Sequence, residues 1–293
     1  MTTDALYAPA RSQVAPRKRA TGKAGIRWNT AAGHVVMIVL SILCLFPVYW
    51  MIVSSFRPAN AIFETTLWPS AASLDNYVHA INAIPIGTML LNTFLVSSIV
   101  TIVQLFTGLL AAYAFARWRF PFDKIIYTLI ALTWLVPFQV VMIPNYLLVA
   151  DLGLLDSIAA LILPHFAGAL AVLMLAQAMR SFPAEIIEAA RMDGAKSWRI
   201  LWEVIAPNLR GTIASLAILL FISTWNEYFW PLLLSRTPEN SVVQIGIQMF
   251  ITSEGTAWGP LMAASTLASL PILFIYVVLQ RQVIQSFMKS GIR

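Results

Sequence analysis

Six stretches of this chain, approximately 35–55, 88–116, 125–149, 157–179, 212–235 and 260–280, are apolar over 20 residues or more. Five contain no charged side chain, and the fifth in order contains a single carboxylate, Glu227. A hydrocarbon core about 30 Å thick takes about 20 residues of helix, so each stretch is long enough to cross one. Backbone N–H and C=O groups must be satisfied internally in lipid, which leaves only helices and closed barrels. The ten-residue alternation of a barrel strand is absent. The chain is therefore predicted to be all-α and polytopic, with about six transmembrane helices. Composition agrees: of 293 residues 59% are hydrophobic and 11% charged, whereas a soluble domain carries roughly 25% charged residues to cover its surface.

The charges that do occur are sorted between the connecting segments. Of the 19 Lys and Arg residues, 17 fall before the first stretch (Arg11 to Arg27), between the second and third (Arg117, Arg119, Lys124), between the fourth and fifth (Arg180 to Arg210), or after the sixth (Arg281, Lys289, Arg293). The alternate connections hold only Arg57 and Arg236. Cytoplasmic loops collect Lys and Arg, so both termini are expected in the cytoplasm. The same sorting explains the net charge of +6 as topology and argues against a nucleic-acid partner. The expected organisation is a basic disordered head (1–30), a membrane domain (31–286) containing a cytoplasmic loop at 180–211, and a short cytoplasmic tail (287–293). The first apolar run is too long for the 7–15-residue core of a secretory signal, so an uncleaved first span is expected, with a mitochondrial presequence as the lesser alternative. Cys44 is the one cysteine, which excludes an intrachain disulfide and reads as packing.

Within or beside the spans lie Pro47, Pro137, Pro144, Pro164, Pro231 and Pro271. Each removes a backbone donor and tends to kink its helix; hinges around a cavity and simple tolerance of Pro in membrane helices are both open readings. Glu227, flanked by Trp225, Asn226, Tyr228 and Trp230, is costly in lipid and should face protein or a wet cavity. It is a candidate for a pathway or subunit interface, against a structural cluster at the outer interface where Trp and Tyr anchor. His34, His79 and His165 have no second ligand at metal spacing and read as structural, so no metal site is expected.

The 180–211 segment is too polar to span. Pro183 suits a first helical turn, with Glu185 near its positive end; Ile186, Ile187, Ala189 and Ala190 give it an apolar side. Asp193 and Gly194 interrupt it, Gly because positive φ is cheap there and Asp as a cap for the next helix. A second helix is expected over about 196–205, ending before Pro207 and Asn208. It carries Trp198, Leu201, Trp202 and Ile205 at i, i+3, i+4 and i+7, a single apolar stripe. Two Trp on a short polar-flanked helix need a surface to pack on, either the membrane domain or a partner protein; an amphipathic helix lying on the bilayer is the plainer alternative.

Glu188-Ala189-Ala190, three residues, Gly194, nine residues, Val204, one residue and Ala206-Pro207 resemble the EAA loop of bacterial ABC importer permeases. Val204 and Ala206 stand where the usual pattern has Ile and Leu. Arg119-Phe120-Pro121, Asp193-Gly194-Ala195, Trp225-Asn226-Glu227-Tyr228 and Trp230-Pro231-Leu232 look like the carbohydrate-uptake branch. There the chain is similar, over about 30–290, to the six-span maltose-permease or glycerol-3-phosphate-permease type. The resemblance implies that Glu188, Ala189, Ala190, Asp193, Gly194, Ala195, Trp198 and Pro207 belong to a coupling helix seated in a cleft of a cytoplasmic ATPase. It also implies two such ATPases carrying ATP and Mg, a second different permease, an extracytoplasmic solute-binding protein, and a place in the bacterial cytoplasmic (inner) membrane. The chain itself is expected to bind no cofactor: its one Gly-Lys pair, Gly22-Lys23, is followed by Ala24 rather than the Ser or Thr of a phosphate-binding loop, and no catalytic set is visible. An ion-driven secondary transporter, which places ionisable residues at broken helices in midmembrane, and a membrane enzyme are the competing classes. The outer loops 56–85 and 236–258 are expected to meet the binding protein, with an apolar run at 245–251 folding back toward the pathway. The substrate is expected to be a sugar or a sugar-like polyol phosphate.

Overall fold

A computed structural model of the chain describes residues 28–291, with side chains described for 32–278 and 280. Most of the expected basic head, and residues 292 and 293 of the tail, lie outside them. The first helix is α1 (Trp28–Ser55); the described residues up to Pro47 belong to one unit, and Val48 onward to the other. Cys44 is exposed on α1, so it is not a packing residue of this chain.

The larger unit contains α2 (Asp75–Ala83), α3 (Ile86–Arg117), α4 (Asp123–Leu135), α5 (Phe138–Asp151), α6 (Ile158–Ile162), α7 (Ala169–Arg180), α8 (Ala184–Met192), α9 (Ser197–Arg199), α10 (Ala206–Asn208), α11 (Arg210–Trp225), α12 (Phe229–Leu234), α13 (Val243–Gln248) and α14 (Trp258–Gly291). Among the described residues the only strands form a short hairpin, β1 (Ile251–Thr252) against β2 (Gly255–Thr256). Among the described residues, four helices or helix runs are long and apolar enough to cross a membrane unaided: 32–55, 86–117, 210–234 and 258–278.

The third and fourth apolar stretches are not the continuous helices expected from their length. Helices α4 and α5 meet at 98°, and the 158–165 and 169–180 runs at 43°. The first break falls at Val136–Pro137, where Pro disfavours helical geometry in the residue before it; Val136 is extended, at φ −78° and ψ 119°. The second falls at Phe166–Gly168, and here α3 compensates. Gln104 Nε2 donates to the His165 carbonyl at 2.8 Å and Thr107 Oγ1 to the Phe166 carbonyl at 3.2 Å. Two carbonyls released by the break are thus satisfied from a neighbouring helix, as a membrane interior requires.

Long-range contacts place the ends of these runs. Asn92, near the start of α3, donates from Nδ2 to the carbonyls of Glu239 and Ser241. Asp156, between α5 and α6, accepts from the backbone N–H groups of Arg236 (2.8 Å) and Thr237 (3.1 Å). Those contacts gather Asn92, Asp156 and 236–241 at one end of α3. At its other end, about 48 Å away for 32 residues, Arg180 lies over the Tyr127 ring at 4.4 Å, and Arg117 Nη2 donates to the Met179 carbonyl at 2.8 Å. Each bent pair therefore runs from one end of α3 to the other, and counting each as one span gives six.

Packing is densest along α3, which meets α7 on one side and α11 on another. A Cβ added at Gly108 would lie 2.9 Å from the Ala171 Cβ and 3.2 Å from its backbone, so glycine sets the closeness of α3 and α7. By contrast, α4 buries none of its residues, and Ile125, Leu129, Leu132, Val140, Ile143 and Leu147 on α4 and α5 are all exposed. Such apolar surface fits lipid or another membrane subunit, not water.

The 235–257 connection is anchored in the protein. Val243 and Gly246 are buried in α13, the Val243 N–H donates to Thr93 Oγ1 at 2.9 Å, and any side chain at Gly246 would strike the Met89 sulfur. Within the 245–251 run Ile245, Gly246 and Phe250 are buried in the chain, whereas Ile251 is exposed. At the same end, Arg57 is fully buried. Its guanidinium donates to the carbonyls of Glu64 and Thr66 and lies 4.7 Å from the Trp50 ring centroid, fastening the 58–74 loop to the end of α1.

Candidate functional site

The 180–211 segment begins, as expected, with a short helix after Pro183, which precedes the first turn. Helix α8 turns Ile187 inward, while Ile186 and Met192 stay exposed. Gly194 follows at φ +79° with open space around its Cα, so its role is conformational rather than steric. Asp193 closes α8 at its C-terminal end instead of capping the next helix, whose N-cap is Lys196. The reason is local: two residues, Gly194 and Ala195, separate Asp193 from that cap, putting its short side chain out of reach of the next first turn.

The second helix does not stop before Pro207. It runs from Ser197 through a π-helical turn, Ile200–Ile205, into α10. Pro207 cannot donate to the carbonyl four residues back and its ring crowds that carbonyl; a π turn widens the helix at this point and lets it continue. Widening also alters the buried face. Leu201 and Ile205 are buried as the stripe predicts, and Ile200 joins them. Trp202 is half-buried and stacks on Phe106 of α3, 6.0 Å between centroids, while Trp198 meets Trp202 edge-on and stays 60% exposed.

The inward face belongs to a single cluster with the ends of the long helices. Ile187, Ile200, Leu201 and Ile205 pack with Tyr113 of α3, Met179 of α7 and Leu216 of α11. Burial of such side chains stabilises by about 1.5–3 kcal/mol each, so the segment is fixed to three helices at once. Its outward face carries Glu188, Ala189, Met192, Asp193 and Trp198, all exposed, while Ala190 and Ala195 are half-buried against the cluster. Arg199 donates to Glu203 at 2.6 Å, and that hydrogen bond raises the Arg199 pKa further.

The second group of candidate residues lies at an interruption in the fifth span. Helix α11 ends at Trp225 and α12 begins at Phe229, so Glu227 stands in a non-helical gap and not within a continuous helix. Its Oε1 accepts from the Trp230 N–H at 3.3 Å, covering one of the free donors at the start of α12. Trp225 and Trp230 are buried within the chain, Glu227 and Tyr228 half-buried, and Asn226 exposed. Trp230 Nε1 donates to the Ala160 carbonyl at 3.1 Å, holding α12 to α6. Gln244 Nε2 reaches the Trp225 carbonyl at 3.3 Å and Asn226 Oδ1 at 3.5 Å. His165 lines the same small cavity as Glu227, with Thr93 and Thr224.

Two features escaped the sequence reading. A polar face on α3, comprising Asn92, Thr93, Ser97, Thr101 and Gln104, is buried; its spacing of three and four residues was present in an otherwise apolar run. Asp156, at φ +57°, binds both N–H groups described above and accepts from Thr237 Oγ1 at 2.9 Å. These bonds, the Arg236 N–H first, hold its pKa down at about 2. No periodicity signals a carboxylate whose partners lie eighty residues away.

Comparison with known proteins follows the same lines. The profile described as "Binding-protein-dependent transport system inner membrane component" matches residues 104–289. The sn-glycerol-3-phosphate transport system permease protein UgpE of Yersinia pestis is 32% identical over 267 residues, 88% of this chain and 95% of that protein. The lactose transport system permease protein LacG of Rhizobium radiobacter is 29% identical over 88% of this chain and 94% of its own length. A chain in the crystal structure of a bacterial ABC transporter involved in the import of the acidic polysaccharide alginate superposes with a TM-score of 0.74 at 26% identity, covering 86% of this chain and 95% of that one. A chain from a bacterial alginate ABC transporter in complex with alginate pentasaccharide-bound periplasmic protein matches at a TM-score of 0.64 and 15% identity, a likeness of fold.

Proposed function

Because the chain belongs to the family of binding-protein-dependent transport system inner membrane components, we propose that it forms, with a second and different permease, the pathway for a carbohydrate or sugar-like polyol phosphate. It is a multi-pass inner-membrane protein of the carbohydrate ABC importer permease type and not itself an enzyme. Two cytoplasmic ATPase subunits, holding ATP and Mg, supply the energy, and a periplasmic solute-binding protein delivers the substrate to the end bearing Arg57 and Arg236. Both termini and the 180–211 segment are cytoplasmic, a reading supported by the sorting of Lys and Arg.

The observation that carries the mechanism is the attachment of 184–208 to α3, α7 and α11 through one buried cluster. A short element seated in an ATPase cleft by Glu188, Met192 and Trp198, and fixed behind to three spans, converts ATPase closure into a tilt of those spans. ATP binding biases the permease pair toward its outward-facing state because only that state matches the closed ATPases. Asn226, Glu227 and Gln244 are polar groups gathered where the fifth span is interrupted, and they fit a pathway or subunit-interface surface. The substrate class rests on the relatives, which are named for glycerol-3-phosphate and lactose transport.

Gly194→Val forces a branched side chain into the left-handed region, which costs roughly 1–2 kcal/mol, and Glu188→Lys reverses the charge of the docking face. Each variant is expected to insert in the membrane normally and to lose uptake; uptake retained in both would overturn the coupling role. Stimulation of ATP hydrolysis in the purified complex by binding protein loaded with glycerol-3-phosphate, set against a disaccharide, resolves the substrate.

A further inference from the structure

We infer that the turn between the second and third spans holds the phosphate headgroup of an anionic phospholipid. A cavity of about 820 Å³ opens there, lined by the end of α3, the start of α4 and Arg180 at the end of α7. Four cations line it, Arg117, Arg119, Lys124 and Arg180, against one carboxylate, Asp123. Among the described residues none of the four has a carboxylate within 4.0 Å. Arg117 Nε is buried and has no hydrogen-bond partner there, although its Nη2 is satisfied by the Met179 carbonyl.

Three observations favour a lipid over a water-soluble anion. The cavity sits where three apolar helices end. Trp118 and Tyr127 line it, and these are the side chains that settle at the membrane–water boundary. The α4 face that bears Lys124 and Thr128 continues by helical steps to Leu132 and Leu135, both exposed. A headgroup held by the cations thus finds an open apolar stripe along which its acyl chains can lie. Basic pockets between membrane helices are suited to anionic headgroups for this reason. The inference is independent of what the protein transports.

Arg119 and Lys124 are exposed and donate no side-chain hydrogen bond within the described residues, so neutralising them leaves packing intact. The test uses the intact transporter complex in phosphatidylcholine vesicles with a minor fraction of spin-labelled phosphatidylglycerol, reading the motionally restricted lipid signal. Wild type is expected to restrict the labelled phosphatidylglycerol in preference to labelled phosphatidylcholine. Arg119→Gln and Lys124→Gln should each lower that preference about fivefold, while Arg119→Lys and the distant Arg236→Gln retain it. Inorganic phosphate should fail to displace the lipid. Equal restriction of both lipids, or unchanged preference in both Gln variants, overturns the site. Displacement by phosphate would make it a free-anion site instead. Preference that returns only after the ATPase subunits are stripped away would make it a protein interface, and either result overturns the lipid assignment.

Discussion

At the scale of single residues, Asp156 has the sharpest consequence. Its pKa is about 2 in the fold against an ordinary 3.8, so it favours the folded arrangement above about pH 4, and that contribution is lost as pH falls toward 2. Hydrogen exchange at the Arg236 and Thr237 amides is therefore expected to quicken across that window, after correction for intrinsic rates. In Asp156→Asn the amides should exchange faster already at neutral pH and show no added response to acid. Gln104 acts in the membrane interior instead. Gln104→Leu strands the His165 carbonyl, and an unsatisfied buried acceptor costs about 1–3 kcal/mol; the expected result is a lower melting temperature in detergent with the fold retained.

Among elements, the close contact of α3 with α7 is the one that a single added side chain tests. Gly108→Leu drives side-chain atoms into Ala171, 2.9 Å from the first added carbon, and overpacking of this kind costs about 1–3 kcal/mol. The same element scale shows what was legible in the sequence. Apolar length marked the four helices and two bent pairs long enough to cross a membrane, because the thickness of the hydrocarbon layer admits few alternatives, and the 184–208 helices were visible through Pro183, Gly194 and the Leu201–Ile205 stripe. Less visible were the breaks. Pro137 and Pro144 looked alike as text, yet Pro144 lies inside α5 while Pro137 marks a 98° bend. What separates them is the backbone of the preceding residue: Val136 is extended before Pro137, whereas the helix continues through Pro144. The π turn before Pro207 was hidden for a related reason: a stop and a widened continuation have the same sequence signature.

For the whole molecule, the proposed ATP-driven assembly and a solitary ion-driven carrier differ in energy source. Uptake by cells carrying the complete system is expected to persist when a protonophore collapses the ion gradient at maintained ATP, and to stop when ATP is depleted. The reverse pattern would favour an ion-driven carrier.

The bend at Val136–Pro137 has a bearing on how the protein is made. Its first arm, Asp123–Leu135, has 13 residues, about 20 Å of helix, short of the ~30 Å layer it must help to cross. A nascent chain ending there has no completed crossing to release into lipid, and the insertion machinery must retain it until the second arm, Phe138–Asp151, leaves the ribosome. The third crossing is thus committed about nine residues later than a straight helix of about 20 residues from Asp123 would be.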